Sequence, residues 1–113
     1  MKMSIQATGM NLTPALTEYI EMKLGGLAKL LTRFEARGEL SLFVELARTT
    51  KHHRHGEVFY AEATLKLPGI PALRIEEYDA DAHAAVDRVK DRLKLDIAKH
   101  KDRGVDRTRR LRG

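Results

Sequence analysis

Seven basic residues, Lys99, Lys101, Arg103, Arg107, Arg109, Arg110 and Arg112, crowd the last fifteen positions of the chain. Only two acids, Asp102 and Asp106, stand among them, so this segment holds the whole formal net charge of +5. Residues 1–98 are balanced. A cationic arm on a neutral body is suited to one kind of chemistry, the capture of a polyanion with release of its counterions. Nucleic acid is the cellular polyanion with room for such an arm.

Other chemistry has weaker support. Lys51-His52-His53-Arg54-His55 invites a metal reading, but adjacent histidines in an extended loop point in different directions. No carboxylate or cysteine completes a tetrahedral set nearby, so no metal is expected. The stretch reads as a polar loop tip, or as one that touches RNA phosphates when protonated. Glu76, Glu77, Asp79 and Asp81 cluster in the sequence. Their simplest role is to complement the positive end of the following helix, because carboxylates without a pocket do not make a general acid and base. There is no phosphate-binding glycine loop, dinucleotide fingerprint or metalloprotease signature. No enzymatic activity and no cofactor are expected.

The 113 residues suffice for one domain with a modest core. At 33% charged residues the chain is more charged than most globular domains. It has no cysteine, which excludes disulfides and thiolate sites. The first ten residues lack a signal peptide's apolar region, and no apolar run approaches the roughly 20 residues of a membrane span. A cytoplasmic protein without a membrane partner is the expectation.

Met3, Ile5 and Ala7 alternate with polar residues and predict a first strand. Thr13-Pro14 is a helix start, with threonine as cap and proline in the first turn. Leu16, Tyr19, Ile20, Leu24, Leu27, Leu30, Leu31 and Phe34 then recur at helical spacing. Gly25-Gly26 should loosen that stretch, and Gly38 should end it. Leu40 to Ala47 and Phe59 to Leu67 alternate and predict two strands joined by a polar hairpin. Pro68-Gly69 is a turn, and Leu73 and Ile75 mark a fourth strand. Asp79 or Asp81 should cap the last helix, whose stripe is Ala82, Ala85, Val86, Val89, Leu93 and Ile97. Its charged faces could simply be solvated, with Asp87 reaching Lys90 along the helix. Gly104 should end it. The expected divisions are an α+β domain over 1–103 and a basic flexible tail over 104–113.

The predicted order β-α-β-β-β-α is an α+β sandwich, a four-stranded sheet with two helices packed side by side on one face. On the other, wet face, Phe43 and Tyr60 are expected to pair across adjacent strands.

Three stretches carry a resemblance to the ribosome hibernation-promoting factor family, also called ribosome-associated inhibitor A or ribosomal subunit interface protein. They are Leu12-Thr13-Pro14-Ala15-Leu16-Thr17-Glu18-Tyr19-Ile20 with Lys23-Leu24, then Ala61-Glu62-Ala63-Thr64-Leu65-Lys66-Leu67-Pro68-Gly69, then Asp81-Ala82-His83-Ala84-Ala85-Val86-Asp87 with Asp91-Arg92-Leu93 and Lys99-His100-Lys101. The chain departs from the family pattern at His83, where a tyrosine is usual, and at Leu95-Asp96, where a basic residue and a glutamine are usual. The resemblance implies a fold like a double-stranded RNA-binding domain. It implies a hibernation factor that binds the small ribosomal subunit through 16S rRNA, in the channel of messenger and transfer RNA, competes with both, and inhibits translation while preserving idle ribosomes. Other hibernation factors are further possible partners. A generic double-stranded RNA-binding module is the alternative, and a protein-interaction domain using the open sheet face is a third.

The resemblance places phosphate contacts at Lys23, Arg88, Arg92, Lys99 and Lys101. Lys29 and Arg33 on the first helix, and Arg103, Arg107, Arg109 and Arg110 in the tail, complete the candidate set. Side-by-side helices should line a shared basic groove with these residues. If each tail arginine engages a phosphate, truncation after Gly104 lowers the slope of log affinity on log salt by roughly 0.7–0.9 per lost contact. Titrations of RNA binding against salt check this, and an unchanged slope would make the tail a bystander.

Overall fold

The computed structural model describes residues 1–49 and 58–112, with side chains to residue 100. The expectations for His52, His53 and His55 lie outside the described residues.

Strand β1 (Lys2–Thr8) leads to helix α1 (Pro14–Gly25). The Thr13 hydroxyl accepts the Leu16 N–H at 3.2 Å, and Pro14 occupies the first turn. At the glycine pair the chain changes from α to a 3-10 helix, Gly26–Leu30, and then makes one further turn, α2 (Thr32–Glu35). Strands β2 (Ser41–Arg48), β3 (Phe59–Lys66) and β4 (Leu73–Asp79) follow. Gly69, at φ +79°, makes the turn between the last two, where a side chain would be strained.

The sheet order is β1-β2-β3-β4. β1 runs parallel to β2, so α1 and its extensions form the crossover between them, and the remaining pairs are antiparallel. The register aligns Ile5, Val44, Ala63 and Ile75 in one row across all four strands. Period-two alternation turns this row and its neighbours Leu42, Leu46, Ala61, Leu65 and Leu73 to one face. Helix α1 adds Leu16, Ile20 and Leu24 to that core, and Leu27, Leu31 and Phe34 extend it.

Helix α3 (Ala82–Arg112) closes the core with Ala85, Val86, Val89, Leu93 and Ile97. Asp81 caps it: its carboxylate accepts the His83 N–H at 3.0 Å and its carbonyl accepts Ala85 N–H. Asp79 accepts the Asp81 N–H in turn. Two expectations need correction. The helix does not end at Gly104 but continues to Arg112. A single interior glycine costs only about 1 kcal/mol, and Asp106 precedes Arg109 and Arg110 by the helix-supporting spacing. Nor do Phe43 and Tyr60 pair. The β2–β3 register sets Phe43 opposite Thr64 and Tyr60 opposite Ala47. Tyr60 meets Tyr78 of β4, with ring centroids 5.1 Å apart, while the Lys66 ammonium sits 5.2 Å from the Phe43 ring.

Leu93 is fully buried and Leu95, two residues on, is 63% exposed. Leu93→Ala should therefore destabilise the fold by roughly 2–5 kcal/mol, and Leu95→Ala by no more than about 0.5 kcal/mol. Urea denaturation of the two variants measures the difference.

Candidate nucleic-acid interface

The candidate cations lie on two flanks of α3 and on the segment before β2. Lys23 ends α1, where its ammonium is 3.8 Å from an Asp87 oxygen of α3 and 5.6 Å from the centre of the Tyr19 ring. The Tyr19 hydroxyl donates to the same Asp87 oxygen at 2.6 Å. The His83 ring meets Tyr19 edge-on, with centroids 4.5 Å apart. Hydrogen bonding to the Asp87 carboxylate, aided by burial, pushes the Tyr19 hydroxyl up to about 12. This polar seam joins the two helices and holds Lys23 against α3.

Arg88 and Arg92 point elsewhere. Arg88 lies 3.5 Å from both Glu77 and Asp79 and donates to the Tyr78 carbonyl at 3.1 Å. Arg92 donates to Glu77 at 3.0 Å and to the Glu76 carbonyl at 3.3 Å. Both arginines thus lean onto β4, whereas Lys23 meets α3 at Asp87. The single groove expected between the helices is replaced by two cation sets, because a helix has its own flanks and only one faces α1. The acidic cluster also divides. Asp81 and Asp79 serve the helix start as expected, but Asp79 and Glu77 in addition neutralise the arginines, and Glu76 pairs with Arg74 at 2.7 Å.

Lys29 in the 3-10 segment, Arg33 in α2 and Lys99 in α3 are exposed. Positions 101, 103, 107, 109 and 110 lie on the distal part of α3. Spacings of four, seven, four and seven put positions 88, 92, 99, 103 and 110 on one flank of the helix. Positions 88, 92, 99 and 103 of that stripe are readable from the sequence, whereas position 110 joins it only because the helix passes through Gly104. Tyr19 and Asp87 were hidden differently: Tyr19 reads as one more apolar residue of the α1 stripe, and Asp87 as a solvated acid.

The open sheet face carries a separate network. Tyr60 donates to Glu62 at 2.5 Å, and Arg74 donates to Glu62 at 2.7 Å. These bonds, Arg74 foremost, hold Glu62 below the ordinary carboxylate range. The face presents paired charges. Among the described residues, no three histidines, cysteines or acids are placed to hold a metal, and no helix is long and apolar enough to cross a membrane.

Fold and site together define a class: a small α+β domain whose two helices cover one sheet face, with a long helix rich in cations at its far end. The chain belongs to the Sigma 54 modulation protein / S30EA ribosomal protein family, whose model matches residues 3–104. It is 27% identical over 104 residues to a ribosome hibernation promotion factor from Picosynechococcus, across 91% of this chain. That alignment covers 50% of the relative, so the chain spans about half the length of the curated relative it matches. The Thermus thermophilus Protein Y N-terminal domain superposes with a TM-score of 0.68 at 34% identity, over 88% of this chain and 99% of the other. A ribosomal subunit interface protein from Coxiella burnetii shares the fold, with a TM-score of 0.68 at 22% identity over 90% and 99% of the two chains.

The Tyr19–Asp87 bond has a measurable signature. Folding favours the protonated phenol, so its contribution is complete below the ordinary tyrosine value of 10 and is lost as pH rises through about 12. Tyr19→Phe should cost about 1 kcal/mol near neutral pH, a figure reduced from that of a buried charged hydrogen bond because the site is partly solvated. The gap between parent and variant should close between those pH values in denaturant titrations.

Proposed function

We propose that this chain is a ribosome hibernation factor. It binds the small ribosomal subunit through 16S rRNA phosphates, occupies the channel of messenger and transfer RNA, and so inhibits translation while keeping idle ribosomes intact. The observation that carries this reading is α3: one continuous helix, anchored by its apolar stripe, with cation positions 88, 92, 99, 103 and 110 along one flank and the net charge of the chain at its end. Membership of a family with a relative named for ribosome hibernation supports it.

Thirty-one helical residues span about 46 Å, long enough to track an RNA backbone across several phosphates. Lys23, Lys29 and Arg33 supply a second set of cations from the crossover. Contacts of this kind position a domain without reading sequence. Recognition of the subunit then comes from the spatial pattern of phosphates, which a folded RNA offers and a regular duplex does not.

Co-sedimentation with small subunits should be saturable and should fall with excess messenger and transfer RNA. The same protein should inhibit cell-free initiation at amounts stoichiometric with ribosomes. Charge reversal at Lys99 and Arg103 (K99E/R103E) should weaken binding roughly tenfold, the loss expected from two phosphate contacts, with the melting temperature unchanged. Binding to an isolated RNA duplex as tight as to the subunit would replace this reading with that of a general duplex-binding module.

A further inference from the structure

Arg88 and Arg92 belong to the cationic flank of α3, yet both are already engaged within the fold. Glu77 bridges them, 3.5 Å from Arg88 and 3.0 Å from Arg92, and Asp79 takes Arg88 from the other side at 3.5 Å. The two carboxylates are the better-buried partners: Glu77 is 14% and Asp79 26% exposed, against 52% and 55% for the arginines. They stand on a strand paired along its length with β3, so they cannot follow the arginines outward. Two carbonyls of the same strand, Tyr78 and Glu76, hold the guanidinium groups in place. Two positive and two negative charges make this patch neutral. The compensation is also local. Arg92 already lies beside Glu76 and β4 begins at Leu73, so the helix passes the end of the strand at about residue 99. Among the described residues, no acidic strand runs alongside the cation positions beyond.

We propose that Glu77 and Asp79 are specificity-determining residues that stand in for phosphate on Arg88 and Arg92. A polyanion that merely approaches must exchange one ion pair for another, which gains little and releases few counterions. A backbone phosphate held by other contacts at the right place displaces the carboxylates. The proximal half of the flank is then silent toward polyanions in general, and the distal half makes the first contact. This rests on the reading of α3 as an RNA-binding helix given above.

The test is the pair E77Q/D79N, which keeps hydrogen-bonding amides on β4 and removes their charge. It should bind a plain RNA duplex more tightly than the parent, with a salt slope steeper by roughly 0.7–0.9 for each arginine freed. It should also leave a heparin column at higher salt, and its preference for small subunits over duplex should shrink. The gain should vanish when Arg88→Gln and Arg92→Gln are added, and E39Q/E45Q, which removes two carboxylates elsewhere, should not reproduce it. Unchanged or weaker binding by E77Q/D79N overturns the proposal, because the carboxylates would then orient the arginines or have no part in binding. A gain that survives in the quadruple variant overturns it too, as an effect of net charge alone. If E77Q/D79N does not fold, D79N by itself, altered at the end of the strand, should show half the slope change and decides in the same way. Failure of the parent to co-sediment with subunits, alongside the expected heparin and duplex shifts, would refute the ribosome reading and leave the masking of the arginines standing. Co-sedimentation without those shifts would do the reverse.

Discussion

Ala85, Val86, Val89, Leu93 and Ile97 are each at most 1% exposed, and through them α3 is fixed to the sheet. Each large side chain so buried is worth about 1.5–3 kcal/mol relative to exposure, far more than any ion pair on the surface. The stripe therefore decides the rotation of the helix, and the rotation decides the electrostatics. With the apolar side down, Asp87 turns to α1, where it meets Tyr19 and Lys23, while Arg88 and Arg92 turn to β4. One residue of rotation, about 100° on a helix, separates the two surroundings. The charged groups take the partners that core packing leaves within reach.

The parts of this arrangement that can be read from the sequence are those with a local cause. Strands β2 and β3 declare themselves because apolar residues recur at every second position, Leu42, Val44 and Leu46 in one and Ala61, Ala63 and Leu65 in the other. Thr13-Pro14 and Asp81 announce their helices because capping is satisfied within four residues. The register of β3 on β2 is different: it depends on a hairpin of many residues, and without it the partner of Phe43 cannot be found. Glu77 and Asp79 escaped for the same kind of reason. Spacing within a helix counts neighbours three and four residues away, whereas Arg88 finds its carboxylates nine and eleven residues back along the chain, across a change of element. Their local environment, just before a helix, offers a sufficient role in capping, and that role is real for Asp79. The packing of both helices on one face was legible too, because each carries a single apolar stripe that must be buried against the same sheet.

The neutrality of residues 1–98 has a structural use. Compact domains with a large excess of one charge repel themselves, and here the ion pairs of Lys23, Arg88 and Arg92 close between elements that the core has already brought together. The excess is displaced to the end of the helix that runs past the sheet. The folded body is left without net charge, and the long-range field of the chain comes from the end of α3.

The same displaced charge explains how α3 passes a glycine. Helix dipoles favour acids at the first turn and cations at the last, each worth about 0.3–1 kcal/mol. Asp79 and Asp81 stand at the start of α3, and Arg109, Arg110 and Arg112 in its final turn. Gly104 costs about 1 kcal/mol, a sum that two or three well-placed cations offset. The arginines that suit a polyanion therefore also favour the helical form of the segment that carries them. A segment already helical carries less conformational entropy than a coil of the same composition, so the ordering cost is met within the folded chain itself.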